Sequence, residues 1–339
     1  MSQQFQVKGT KSTYIIFDKV LGKGAYGVVL LAQDINSVNQ FAAKIISKKS
    51  LSQTDIINLR NEINIQSKLQ HPNIVSMVDA FEDKNYLYML LEYCNGGCLF
   101  TNIQLSGPLR EEKAQKYFVQ IVQAVQYLHQ KNVLHRDIKL SNLLLTKEDQ
   151  IKLADFTWST SLQMGYASPQ ICGTLEYMPP EVTKNGFQNE KLDIWSLGIV
   201  LYEMLHNDLP KNGKIIIKHG ISEECKQLIK QMLEVETYKR PSTQEVLSSS
   251  WVKKFSRNNG LTINTCRSLS GFKDKLGSPQ KTPQMGSPLG SPLRTAYGSP
   301  FGSPGASPLN TPLGKCAFGQ KNVETEPVSK QRVNTQKLC

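Results

Sequence analysis

Residues 14–47 alternate apolar and polar positions around glycines, as in YIIFDKVLGKGAYGVVLLAQD and QFAAKII. A period of two, rich in branched and aromatic side chains, predicts a meander of antiparallel strands. The period then lengthens. In SQTDIINLRNEINIQSKLQ, Ile56, Leu59, Ile63 and, less regularly, Leu69 fall at helical spacing, with Ser52 or Thr54 as the cap. Two further strand-like runs follow, IVSMVDAF and YLYMLLEY. After Gly97 the chain reads as helical: REEKAQKYFVQIVQAVQYLHQ sets Ala114, Phe118, Ile121, Val125 and Leu128 on one core-facing stripe. LDIWSLGIVLYEML and SEECKQLIKQML continue that pattern to Trp251. The order predicts an α+β protein: a short extension over 1–13, a small β-rich lobe with one helix over about 14–92, and a larger α-rich lobe over about 95–255.

Beyond about Phe255 the composition changes to Gly-Ser-Pro repeats too poor in apolar residues to build a core, which predicts a disordered tail over 256–339. Spacing between the repeats is irregular, which argues against a solenoid. This segment also explains the net charge of +12: 11 Lys and Arg against 3 Asp and Glu give it +8, leaving +4 for residues 1–255. The basic excess lies in a proline-interrupted segment without an aromatic stacking platform, so specific nucleic-acid binding is not expected. No apolar run approaches a bilayer span, and Ser2 stands where myristoylation needs glycine, so a soluble intracellular protein with no membrane partner is expected. Seven scattered cysteines, with no CxxC pair, read as reduced thiols.

Chemistry enters at LGKGAYGVV, which fits G-x-G-x-x-G-x-V through Gly22, Gly24, Gly27 and Val29. Glycines let backbone amides approach phosphates, but glycine turns between strands are common and the motif alone is weak. Lys44 follows in FAAKII, and Glu62 in the next helix is an acidic partner for its ammonium. The decisive segment is VLHRDIKLSNLLL. Here H-R-D-x-x-x-x-N sets Asp137 five residues before Asn142, and Asp155 of ADFTWS comes later. Those residues supply one carboxylate for a nucleophile's proton and an amide and carboxylate pair of oxygen ligands for a hard cation.

With this ordered set the sequence resembles the eukaryotic protein kinases over residues 14 to about 255. The resemblance implies the two-lobed kinase fold, ATP and Mg2+ as cofactors, and protein substrates. It makes Lys44 and Glu62 an ion pair, Asp137 the catalytic base, Lys139 a γ-phosphate contact, and Asn142 and Asp155 the metal ligands. Leu91 becomes the gatekeeper, Glu92 and Cys94 supply hinge backbone to adenine, and Leu21, Val29, Ala42 and Leu144 form the apolar walls around the base. PPE at Pro179 to Glu181 resembles the family's APE, with Arg240 as its partner. Lys139 after HRDI and Thr174 in CGT are similar to the serine/threonine enzymes. INIQSKLQHPNI, DFxWS and CGTLEYMPPE look like the Aurora kinases, and FEDKNYLY and LSNLLLT like the polo-like kinases, which implies a cell-cycle role and a cytoplasmic or nuclear address, with spindle or centrosome by analogy. A tail over 256–339 has no room for folded polo-box domains.

Three departures shape the expectations. Thr157 replaces the glycine after Asp155 and Phe156; a left-handed threonine costs roughly 1–2 kcal/mol, so either the loop is stiffer or its backbone takes another path. An active kinase resistant to inversion of this segment is expected, with an ATP-binding pseudokinase scaffold as the alternative. Gln170 stands where Aurora kinases carry their phosphorylated threonine, and Ser168 before Pro169 is the nearby candidate phosphosite for Arg136 to meet. HNDLPKNGKIIIKHGISEEC is short on the substrate side, and Cys98 and Ser141 stand where arginine-directed kinases carry acids, although Glu203 remains. In the tail, Ser278, Ser287, Ser291, Ser299, Ser303, Ser307, Thr282 and Thr311 precede proline. Proline-directed kinases acting there would add about −1.5 to −2 per site and reverse a charge that suits microtubules or other acidic partners.

Overall fold

The computed structural model describes residues 4–24, 27–163, 165, 167, 172–184, 186, 188–210 and 215–254, with helical backbone continuing to 259. Ser168, Gln170 and the Ser/Thr-Pro segment lie outside the described residues. A six-stranded antiparallel sheet comes first, in the order β1-β2-β3-β4-β6-β5. Its strands are β1 (Gln4–Lys8), β2 (Thr13–Lys23), β3 (Gly27–Asp34), β4 (Gln40–Ser47), β5 (Met77–Glu82) and β6 (Tyr86–Glu92), with helix α1 (Gln53–Gln66) between β4 and β5. The expected β-rich first lobe with one helix is the one observed.

Within the expected extension, residues 4–8 form a strand. β1 pairs with β2 from Gln4↔Phe17 to Lys8↔Thr13. What holds it is remote in sequence: the buried Asp79 carboxylate accepts the amides of Thr10 at 2.9 Å and Lys11 at 3.0 Å and the hydroxyls of Thr10 and Tyr14. Burial opposes ionisation of Asp79, but these donors hold its pKa below the usual carboxylate value. A depressed folded pKa gives stability that is present above the unfolded value and lost as pH falls through the folded one. Asp79→Asn turns an amide toward donors and should cost about 1–3 kcal/mol at pH 7. In urea titrations that cost should shrink once the pH falls below about 4.

α1 shows why one helix suffices here. Ser52, rather than Thr54, is the cap, with the Asp55 amide donating to its Oγ at 3.2 Å and its own amide donating to Asp55 at 3.0 Å. Leu59 packs with Ile46, Leu87 and Met89. Ile46 opposes Leu87 and Lys44 opposes Met89 across β4 and β6, so all four share one sheet face by strand alternation. α1 therefore lies on the face that presents Lys44, and Glu62, three residues after Leu59, turns toward it.

The larger lobe is built on α3 (Glu111–Gln130), whose Ala114, Phe118, Ile121, Val125 and Leu128 are all fully buried. α5 (Lys191–His206) is buried almost all round and crosses beside it. α2 (Leu99–Ser106), α4 (Pro180–Thr183), α6 (Glu223–Met232), α7 (Thr243–Leu247) and α8 (Ser250–Asn259) complete the described helices. α8 carries this lobe past the expected boundary at 255; its Trp251 is fully buried and donates its indole N–H to Glu111 at 2.6 Å. Short strands β7 (Val133–Leu134), β8 (Leu143–Leu145), β9 (Ile151–Leu153) and β10 (Thr160–Ser161) position the loops of the site.

Candidate active site

Two side-chain networks meet between β4, α1 and the loops after β7 and β9. In the first, the Lys44 ammonium lies 2.6 Å from Glu62 Oε1 and 3.7 Å from Asp155 Oδ1. Burial opposes the lysine's charge, but Glu62 and then Asp155 outweigh it and hold its pKa above the ordinary value. Glu62 is 1% exposed, whereas Asp155 is 44% exposed. Burial works against ionisation of Asp155 too, yet the Lys44 charge and a Thr157 hydrogen bond bring its pKa down to about 2. It is a carboxylate at any physiological pH.

The second network surrounds Asp137, which is buried. Its Oδ1 accepts the Thr174 hydroxyl at 2.7 Å; its Oδ2 accepts Asn142 Nδ2 at 3.0 Å and lies 2.8 Å from Lys139 Nζ. Lys139 also donates to Thr174 at 2.7 Å. Asn142 spends its amide nitrogen on the Asp137 carboxylate and backbone carbonyl, and its Oδ1 is the acceptor end of the amide. Gly173 is required beside this group, because a Cβ there would lie 2.4 Å from the Arg136 carbonyl and φ is +96°. The Ala154 amide donates to the Asn142 carbonyl at 2.9 Å, and so ties the loop bearing Asp155 to the loop bearing Asp137.

The backbone of each loop is strained at one residue, and the loop after β7 is clamped. Arg136 has φ 66° and Asp155 φ 64°, a region that non-glycine residues enter at a cost of about 1–3 kcal/mol each. Asp193, fully buried on α5, accepts the amides of His135 at 3.1 Å and Arg136 at 3.0 Å and contacts His129 at 2.9 Å. Burial opposes its charge, but those partners keep its pKa low. His135 is held neutral by burial. Its Nδ1 accepts the Asp137 amide, so its Nε2–H donates to the Ala154 carbonyl at 3.2 Å. The clamp was not legible in DIWSLG, which reads as an ordinary buried helix.

Thr157 takes the other backbone path, since it is not among the residues with positive φ. The left-handed step falls on Asp155. Arg136, the candidate phosphate receptor, donates to the Trp158 carbonyl at 2.6 Å and to Gln188 at 3.3 Å. Glu203 is no surface acid: it is buried, hydrogen-bonded to the Tyr177 hydroxyl, and pushed up to about 7 by burial.

Of the residues expected around the base, Leu21, Val29, Ala42 and Leu91 stand on β2, β3, β4 and β6, and Leu144 stands on β8. Ala42 opposes Leu91 and Val29 opposes Lys44, while Leu21, Val29, Ala42, Leu91 and Leu144 are all half-buried. Glu92 donates its backbone N–H to the Ser76 carbonyl at 2.9 Å, and its side chain lies 2.6 Å from Lys152, so both are already engaged. Burial raises the Cys94 thiol to about 12 and leaves it inert. Gly27 is glycine because β4 crowds it, with a Cβ landing 2.0 Å from the Ile45 carbonyl. Gly22 is different, with nothing within 4 Å of a Cβ, so the protein itself does not demand a glycine there and an approaching phosphate would.

The oxygens that could hold a cation are Asn142 Oδ1 and the Asp155 carboxylate. Among the described residues no group of three His, Cys, Asp or Glu forms a metal cage. Two oxygens completed by phosphates is how Mg2+ is commonly held, so the residues fit that ion.

Residues 15–252 match the family described as "Protein kinase domain". Similar proteins include an Aurora kinase of Dictyostelium discoideum, 37% identical over 72% of this chain and 67% of its own length. An Aurora kinase of Schizosaccharomyces pombe is 35% identical over 70% of this chain and 71% of its own. The ovarian-specific serine/threonine-protein kinase Lok of Drosophila melanogaster is 36% identical over 71% of this chain and 57% of its own. With the sheet, the helical lobe and two polar networks arranged as above, the chain belongs to the protein kinase family, as a serine/threonine kinase with Aurora kinases among its relatives.

Proposed function

We propose that this protein transfers the γ-phosphoryl group of Mg-ATP to serine and threonine hydroxyls of protein substrates. The observation that supports it most is the joint retention of two charged networks, Lys44–Glu62–Asp155 and Asp137–Lys139–Asn142, linked through the Ala154 amide. Lys44, held by Glu62, reaches toward the α and β phosphates, and the strands around Gly22, Gly24 and Gly27 cover them. Asn142 and Asp155 would hold Mg2+, which when bound would neutralise charge on the phosphates. Leu21, Val29, Ala42, Leu91 and Leu144 exclude water from the base, with the Glu92 carbonyl and Cys94 backbone as its polar partners.

Asp137 orients the substrate hydroxyl and takes its proton as the oxygen attacks; Lys139, between Asp137 and Thr174, follows the transferred charge. With Glu203 buried and Cys98 buried, the substrate face favours no run of arginines. Domain limits of about 14–255 with β1 added, a tail over 256–339 released from acidic or microtubule partners by proline-directed kinases, and a cell-cycle role at the spindle or centrosome belong to the same proposal. They rest on the sequence and on the relatives' names.

The test is equilibrium binding of ATP to the full chain with Mg2+ and with a chelator. Wild type should bind more tightly with Mg2+; Asp155→Asn should lose that difference while keeping its chelator affinity. Equal binding by both proteins in Mg2+ would remove Asp155 from the metal site.

A further inference from the structure

The residue that departs most from the expected pattern touches every member of the first network. Thr157 Oγ1 lies 2.6 Å from Asp155 Oδ1, 3.0 Å from Glu62 Oε2 and 3.3 Å from Lys44 Nζ. Its amide also points to Asp155 Oδ1, at 3.4 Å. We propose that the Thr157 hydroxyl is a positioning group that links α1 to the metal-binding carboxylate, holding Glu62, Lys44 and Asp155 in one arrangement before nucleotide arrives. This rests on the Mg-ATP reading given above.

The chemistry of a hydroxyl suits that place. It carries one proton and two lone pairs, so it donates to a carboxylate while it accepts from the ammonium. Glu62 and Asp155 are like charges brought to one lysine, and a donor between them reduces the repulsion that would otherwise drive them apart. On Asp155 the hydrogen bonds from Thr157 and the nearest approach of Lys44 all fall on Oδ1. Nearby backbone is fixed from both lobes: Asn61 on α1 donates to the Ser159 carbonyl at 3.1 Å and Arg136 to the Trp158 carbonyl at 2.6 Å. The hydroxyl is thus the side-chain element of a longer clasp between α1 and residues 155–159. Glycine at 157 would keep the backbone links and lose this one.

The discriminating variants are Thr157→Val, which keeps the shape and loses the hydroxyl, and Thr157→Ser, which keeps the hydroxyl. Two readouts on the full chain separate the proposal from the reading beneath it. In nucleotide-free protein, amide hydrogen exchange across 59–66 of α1 should speed up roughly tenfold in Thr157→Val, the scale of one charge-assisted hydrogen bond, and stay at the wild-type rate in Thr157→Ser. Binding of ATP should weaken about tenfold in Thr157→Val with Mg2+ and remain unchanged with chelator, with serine again restoring it. Unaltered exchange in the valine variant, or a serine variant as fast as valine, overturns the clasp whatever the nucleotide data show. A wild type whose ATP binding ignores Mg2+ would instead defeat the metal-site reading, and the exchange rates would still decide the role of Thr157.

Discussion

Asp137→Asn is expected to lower kcat for protein phosphorylation by about 10²- to 10⁴-fold while leaving KM for ATP within a few-fold. The substitution is nearly isosteric, and the amide retains an oxygen for one of the donors around it. It removes the one group placed to take a proton. The Thr174 hydroxyl, the Asn142 amide and Lys139 all converge on this carboxylate. Because the proposed function assigns ATP to the other network, ground-state binding should survive. A steady-state comparison at saturating ATP, with an unfolding midpoint to show that the variant is folded, checks it; a loss confined to KM would move Asp137 from chemistry to nucleotide binding.

The largest effect on stability should come from far outside the cleft. Arg240 is 0% exposed on its side chain and is satisfied on every side. It makes a bidentate pair with Glu181 at 2.6 and 2.8 Å and donates to the carbonyls of Glu234, Lys191 and Val235. Its guanidinium also lies 4.9 Å from the centre of the Trp195 ring. Removing only the anion, by Glu181→Ala, leaves a buried positive charge without its partner. That should cost about 3–5 kcal/mol. For a domain of this size the cost corresponds to a fall of roughly 6–20 °C in Tm. Thermal unfolding of the variant measures it; a shift under about 2 °C would mean that the carbonyls alone satisfy the guanidinium.

How much of this was legible in the sequence depends on the distance over which each feature is made. α3 announced itself, because its five stripe residues recur within one helix and the structure buries each of them. The Lys44–Glu62 pair was readable from motif order, and the sheet explains it by setting Lys44 and Met89 opposite each other where α1 packs. β1 was missed because a five-residue strand has too few apolar positions to declare a period, and the carboxylate that anchors its turn lies at residue 79. Thr157 was seen as a steric problem, and that concern was met by moving the positive φ to Asp155. Its hydroxyl contacts to residues 44 and 62 are tertiary and leave no local pattern. The Asp193 clamp was hidden for the same reason: its partners lie more than fifty residues earlier in the chain.

Arg136 shows the opposite case, a residue whose motif suggested one partner and whose surroundings supply others. A guanidinium that already meets a carbonyl and a neutral amide has less need of a phosphate. Treatment of active protein from its own cells with phosphatase should therefore leave at least about half of its activity, since two of the five guanidinium N–H groups already hold Trp158 and Gln188 without a phosphate. Complete loss on dephosphorylation would show that those neutral bonds do not suffice.

The central claim is tested most directly by transfer of labelled γ-phosphate from ATP to a generic protein substrate in Mg2+, with wild type and Asp155→Asn compared and the labelled residues identified after acid hydrolysis. The proposed function predicts label on serine and threonine with wild type, and a loss of at least about 10²-fold with Asp155→Asn, in which an amide replaces the carboxylate proposed to hold the metal. Transfer that is equal in both proteins, or absent from a folded, ATP-binding wild type, would contradict it.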